Sequence, residues 1–342
     1  QISLFDVQYE KFVPLTDIQT EYTVCLKENH CPFGHADAPE FVRMEMHYDN
    51  PQQEAGLVDS SGLRLYLTPT LRSNDAGLLE TGMIVDPRLH VVPPKFSNLI
   101  SRGYCLGDCI SQGMGNSVSS INVFASILHS HLLGTAIRVR HIRAGVEQST
   151  LADDPYYDFN FQESRVLNKE ITVEKGDTIL VECTYKSTDK TQITTAGLGT
   201  RDEMCLAYLL YYPAIPLTNC LSGPTQEQAL SFAGNGQYTN TYPNYVMTDG
   251  QYSGKNFLEV LSGLDWTQQS NRDAYQTSTS GGQFKVRCDR SSFSAYNISN
   301  KVVSTPSITT EYKAARGPMR WRKSSHLSQW TRGFSFSVPC YD

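Results

Sequence analysis

Between Phe41 and Tyr48 apolar side chains fall at every second position. Val42, Met44, Met46 and Tyr48 share one face, and Arg43, Glu45 and His47 take the other. A period of two is that of a strand with one buried face, and Asn50-Pro51 stops it. Leu63, Leu65 and Leu67 alternate with Arg64 and Tyr66 behind the turn residues Asp59-Ser60-Ser61-Gly62. Ile121 to Leu132 reads as a long apolar strand, and Ala136 to Ile142 follows it across Gly134 in hairpin-like spacing. Thr178 to Tyr185, behind Glu174-Lys175-Gly176-Asp177, and Met204 to Tyr212 complete the set. Helical periodicity is scarce, with Gln226 to Phe232 and Phe257 to Leu264 as the two short candidates. Strands of this number and spacing predict an all-β chain, a jelly-roll-like β-sandwich. Beyond Pro213 the texture changes, and residues 224–342 are rich in Ser, Thr, Gly, Asn, Gln and Tyr.

Composition narrows the classes. Apolar residues make up 39% of the 342 and charged residues 19%, enough for a real core and against wholesale disorder. The formal charge of −6 carries no basic footprint, so no nucleic-acid partner is expected. Arg316, Arg320, Arg322 and Lys323 make a short basic stretch that reads as a solvated loop face. Apolar runs such as Leu206 to Tyr212 fall short of the roughly 20 residues that span a bilayer. No leader or lipidation motif is visible, which reads as a processed chain. The nine cysteines are spread singly, without C-x-x-C knuckles. That favours disulfides and an extracellular location, and the odd count leaves at least one thiol free or bonded to another chain, as in a homo-oligomer. Asn297-Ile298-Ser299 is a sequon for a glycan, consistent with secretion.

The sharpest chemical constellation is Leu128-His129-Ser130-His131-Leu132. In a strand, residues i and i+2 share a face, so both imidazoles can converge on one ion. Taken alone an H-x-H pair is weak evidence, and a soft third ligand would sharpen it. Met204, in Asp202-Glu203-Met204-Cys205-Leu206, is a candidate. Two imidazoles and a thioether suit copper. Core filling is the plainer role for a methionine.

The stretch from Phe41 to Pro216 resembles the copper type II, ascorbate-dependent monooxygenases. This is the family of dopamine β-hydroxylase, the DBH-like monooxygenases and peptidylglycine α-hydroxylating monooxygenase, and the DBH-like branch is nearest in pattern. The carrying segments are MEMHYDNP (44–51), DSSGLRLYLTPTLRSNDAG (59–77), GYCLGDC (103–109), INVFASILHSHLLG (121–134), YDFNFQE (157–163), GDTILVECTY (176–185) and TRDEMCLAYLLYYP (200–213). The resemblance implies two jelly-roll-like domains, each holding one copper. It implies oxygen-activating copper ligands at His129, His131 and Met204, and a substrate contact at Tyr208. Leu206 stands where the peptide-hydroxylating branch has a polar residue, which argues against a peptide carboxylate as ligand. It also implies the disulfides Cys105–Cys220, Cys109–Cys288 and Cys183–Cys205, leaving Cys25, Cys31 and Cys340.

The second copper of the family takes an adjacent His pair and a later His. His47 matches the later one, but no His-His pair occurs in the 342 residues, and only 21 residues separate Cys25 from His47. The expected organisation is therefore a truncated remnant of the first copper domain over 1–50, the second copper domain over 51–220, and a Ser/Thr/Tyr-rich extension over 221–342. His30 and His35 lie near enough in sequence to rebuild a three-His site with His47; the plainer reading leaves both in a solvated loop. The resulting expectation is a secreted protein binding one copper per chain, with ascorbate as reductant. Hydroxylase activity would be altered, weak or absent, because one copper stores one electron where oxygen cleavage takes two. Two alternatives stay open: a non-catalytic extracellular binding or signalling protein on the same fold, and an active monooxygenase acting on a small aromatic molecule.

Overall fold

In the computed structural model, residues 53–58, 73–233, 239, 246–290 and 295–312 are described, together with strand backbone at 2–6, 11–15, 29–30 and 42–46. The main elements are β1 (Gly77–Met83), β2 (Leu99–Cys105), α1 (Gly107–Met114), β3 (Ser120–Ser130), β4 (Gly134–Arg143), β5 (Ser164–Glu174), β6 (Thr178–Tyr185), β7 (Cys205–Tyr212), β8 (Leu217–Pro224), α2 (Phe257–Gly263), α3 (Gln269–Thr279), β9 (Gln283–Arg290) and β10 (Val302–Ser304). One sheet runs β5-β3-β7-β1-β8-β9-β10, antiparallel except at the parallel β1–β8 pair. The other runs from Val146–Glu147 through β4 and β6 to β2, with Ala152–Asp154 joined to β4. The chain is thus an all-β sandwich with a few short helices. No helix among the described residues is long and apolar enough to cross a membrane.

The core between the sheets takes Leu79 from β1, Val123 and Leu128 from β3, Ile137 and Val139 from β4, Ile179 and Val181 from β6, and Leu209 and Tyr211 from β7. β7 is apolar on its other face too. Leu206, Tyr208 and Leu210 join Met204, Phe124, Ala125, Ile127 and Leu221 in a second cluster. A strand buried on both faces loses the alternation that marks a half-buried one, which is why 204–212 reads as a continuous apolar run. The two sheets approach closely at a pair of glycines: a Cβ on Gly103 would run into the carbonyl group of Gly82. Gly82 itself sits at φ +131°, open to glycine and strained for other residues.

Among the described residues, three disulfides tie the elements together. Cys105–Cys220 joins β2 to β8 across the sandwich, Cys109–Cys288 joins α1 to β9, and Cys183–Cys205 joins β6 to β7, with Cα–Cα separations of 5.0, 5.9 and 5.7 Å. Residues 257–304 thereby add two helices and two strands to the same framework. Asn256 and Glu259 form a reciprocal capping box that starts α2.

Several elements differ from the sequence pattern. The strand expected through Leu132 stops at Ser130, because the chain turns there: the Gly134 amide donates to the His131 carbonyl at 3.2 Å and Leu132 is left exposed. The helix expected over 226–232 is one turn, Gln226–Ala229, followed by a 3-10 turn at Ser231–Ala233. Val42–Met46 is a strand, paired with Ile2–Asp6, and the Leu63–Leu67 segment lies outside the described residues.

Candidate metal site

β7 runs antiparallel to β3 in a register that pairs Leu206 with His129 and Cys205 with Ser130. Met204, next before Cys205, therefore comes alongside His131, next after Ser130. The two imidazoles lie 5.1 Å apart between ring centroids at 87°. His129, His131 and Met204 are all buried, and the register places these three candidate ligand residues beside one another at the end of one strand pair.

Each ring is held by its Nδ1. His129 Nδ1 lies 2.5 Å from Gln162 Oε1. The Gln162 amide nitrogen already donates to the Phe159 carbonyl at 2.8 Å, so Oε1 is the acceptor and the imidazole nitrogen the donor. His131 Nδ1 lies 2.9 Å from the Asp202 carbonyl, which can only accept. Both tautomers are thereby set, and in the neutral rings Nε2 keeps its lone pair. Burial holds His129 down to about 4, with His131 adding to the effect and Gln162 opposing it. Burial also lowers His131, against the Asp202 and Gly199 carbonyls. Both imidazoles are neutral near pH 7, as metal ligands must be. Two imidazole nitrogens and a thioether form a donor set that fits copper, and the acceptors behind the rings are the outer partners such a site uses.

Behind the candidate ligands lies a buried carboxylate. Glu203 accepts from the amides of His131 (3.0 Å), Leu133 (2.6 Å) and Met204 (3.3 Å), and from the Ser130 hydroxyl (3.1 Å). Burial raises its carboxyl to about 7 against those donors. Tyr157 donates to the Ser130 carbonyl and accepts from the Ser130 amide, while the Tyr185 hydroxyl donates to the Met204 carbonyl at 2.6 Å. Sequence reasoning assigned no role to Gln162, Asp202, Glu203, Tyr157 or Tyr185. The signal for two of them was adjacency, since Asp202 and Glu203 immediately precede Met204; the others are distant in sequence.

Tyr208 is buried on the same face as Leu206, two residues further along β7. Its strand partner on β1 is Glu80, whose carboxyl burial pushes up to about 7 while Arg287 opposes. His90 is buried with its ring centroid 5.5 Å from that of Tyr185, and its Nε2 has no hydrogen-bond partner among the described residues. His141 is engaged elsewhere, 2.7 Å from Asp177. The acidic residues at 153–158 serve the fold: Asp154 pairs with Arg165 at 2.9 Å, and Asp158 caps the turn at 159–161. Asn297 is exposed on a turn. His30, His35, His47 and His326, with Cys25, Cys31 and Cys340, lie outside the residues whose side chains are described.

Residues 74–232 match the family described as copper type II ascorbate-dependent monooxygenase, C-terminal domain. The chain is 40% identical over 284 residues to DBH-like monooxygenase protein 1 of Gallus gallus, a match taking in 82% of this chain and 46% of that protein. It is 38% identical over 280 residues to DBH-like monooxygenase protein 1 of Homo sapiens, covering 81% of this chain and 45% of that one. It is also 40% identical over 190 residues to dopamine beta-hydroxylase of Canis lupus familiaris, covering 56% and 30%. The matched region spans less than half the length of each of these relatives. On this sandwich, and on these matches, the chain belongs to the copper type II, ascorbate-dependent monooxygenase family.

Proposed function

We propose that the chain is a secreted copper protein that holds one copper at His129 Nε2, His131 Nε2 and the Met204 thioether. The observation that carries this reading is the fixing of both imidazoles by Nδ1 acceptors beside Met204. What a bound copper supplies is one-electron chemistry toward oxygen, with ascorbate as the reductant. The protein's own part is to keep both rings neutral and oriented and to place Tyr208 and Leu206 along the face where a substrate would lie. A face of Leu206, Tyr208 and Ile127 suits a small aromatic molecule better than a peptide carboxylate. The 342 residues contain no adjacent His pair, so this chain is expected to hold one copper rather than two. Ascorbate-driven hydroxylation of a phenethylamine is accordingly expected to be absent or very slow.

Elemental analysis of the native protein tests the reading: about one copper per chain is expected, bound preferentially as Cu(I) because a thioether favours the reduced ion. His129→Ala and Met204→Ala should abolish binding while the three disulfides keep the fold. Two tight coppers with robust hydroxylation would overturn the one-copper reading. A native chain without copper would favour a non-catalytic extracellular role. Secretion is supported by the three disulfides and by the exposure of Asn297. A mass loss on N-glycosidase treatment that vanishes in Asn297→Gln would establish the glycan.

A further inference from the structure

Glu203 lies between the two halves of the ligand set and touches both. One carboxylate oxygen takes the Leu133 amide; the other takes the His131 and Met204 amides and the Ser130 hydroxyl. The turn from Ser130 to Gly134 thus wraps around the carboxylate, presenting two of its amides as a small anion nest. The Met204 amide comes from the neighbouring strand. Glu203 is 1% exposed, so no water competes for these donors. Its own backbone is fixed as well: its amide donates to the Thr195 carbonyl at 3.0 Å and its carbonyl accepts from Gly197. A buried carboxylate with a single partner would be costly, whereas one with four donors rigidifies whatever carries them. Here two of the four donors, the His131 and Met204 amides, belong to residues that bear ligands, and the other two flank His131 in the same turn.

We propose that Glu203 is the positioning residue of the site. Its carboxylate sets the spacing between the imidazole pair and the Met204 thioether, so the three ligands stand in place before a metal arrives. This rests on the copper reading above, and it assigns the alignment of Met204 to one side chain rather than to the sheet alone. Sheet pairing as such ends at Cys205 and Ser130, one residue short of both His131 and Met204. Beyond that rung Glu203 is the side chain that bonds to the amides of both.

The test compares wild type, Glu203→Gln and Glu203→Asp. Gln keeps the shape but places an amide donor against N–H groups. Asp keeps the charge but retracts it by one methylene, and covers the case in which Gln fails to fold. Cu(I) affinity is read by competition with bicinchoninate, and the Cu–S contribution by X-ray absorption on the loaded protein. The expected result is a fall in affinity of about 10–100-fold, the range for an outer partner of a metal ligand, with the Cu–S contribution weakened or lost. A lowered melting temperature with unchanged affinity and unchanged Cu–S scattering would show a merely structural carboxylate and overturn the proposal. If wild type itself takes up no Cu(I), the copper reading falls and this inference with it, an outcome distinct from a variant that matches a copper-loaded wild type.

Discussion

His129 and His131 are held by different kinds of acceptor, and mutation reaches only one. His131 leans on the main-chain carbonyl of Asp202, which no side-chain replacement removes; His129 leans on the Gln162 side chain. Gln162→Ala would free the His129 ring to turn, and Cu(I) affinity should fall roughly 10–100-fold in the same competition assay. Glu80 offers a prediction about pH. Its folded carboxyl titrates near 7, above the ordinary 4.5, so the folded chain binds a proton the unfolded chain has released. Stability from this group is full below the ordinary value and is lost as pH rises through about 7. Glu80→Gln should therefore gain little at about pH 5 and raise the melting temperature clearly at about pH 8, as differential scanning would record. At this scale the His-x-His pair could be singled out by its spacing, while Met204 joined it as a proposed third ligand through the family resemblance. Gln162 was not, since nothing in sequence ties it to a histidine 33 positions away.

Among the elements, β7 bears most of the site, with Met204 just before it and Leu206 and Tyr208 within it. Its first residue, Cys205, is bonded to Cys183 on β6, so the strand is anchored next to Met204, the proposed thioether ligand. Replacing both by Ser should lower stability by about 2–4 kcal/mol in denaturant unfolding. It should also weaken Cu(I) binding, since the anchor sits one residue from Met204. The strands rich in Leu, Val and Ile could be read directly from apolar patterning: β4, β6 and β7 stand close to where the pattern predicts them, and β3 does so up to Ser130. β1, β2, β8 and β9 were harder, because glycine, serine and cysteine at their contacts dilute the pattern. Gly82, Gly103 and Ser222 are buried or tightly packed for reasons of space rather than hydrophobicity. α3, with the sequence QSNRDAYQTST, is polar nearly all round, and it is held through Tyr275, whose hydroxyl donates to the Val91 carbonyl at 2.9 Å, and through Gln276, which bonds both the amide and the carbonyl of Ile100. Such a helix owes its place to tertiary contacts, not to periodicity.

For the molecule as a whole, the joint between the sheets and the tie at the β5–β6 turn set the limits of tolerance. Gly103→Val would drive a side chain into the Gly82 backbone and should leave little folded protein, visible as lost soluble yield. Asp177 accepts from Arg143 and the Glu174 amide and faces His141 at 2.7 Å. Burial alone would raise its carboxyl, but Arg143, His141 and that amide hold it well below the usual range. Its contribution is present above the ordinary carboxylate value of about 4 and is lost as pH falls below it. Asp177→Asn should cost about 3 kcal/mol at neutral pH and flatten the acid limb of the unfolding curve. The pattern of bridges also governs how the chain is made. During synthesis the six cysteines bonded among the described residues emerge in the order 105, 109, 183, 205, 220, 288, and of these only Cys183 and Cys205 pair with a neighbour in that order. Oxidation in order of emergence would join Cys105 to Cys109 and Cys220 to Cys288, and the latter two face each other across β8 and β9 even in the finished fold. Reaching the native set from that state would require thiol–disulfide exchange, so refolding of the reduced chain should give more native protein in a redox buffer that reshuffles disulfides than under oxidation alone.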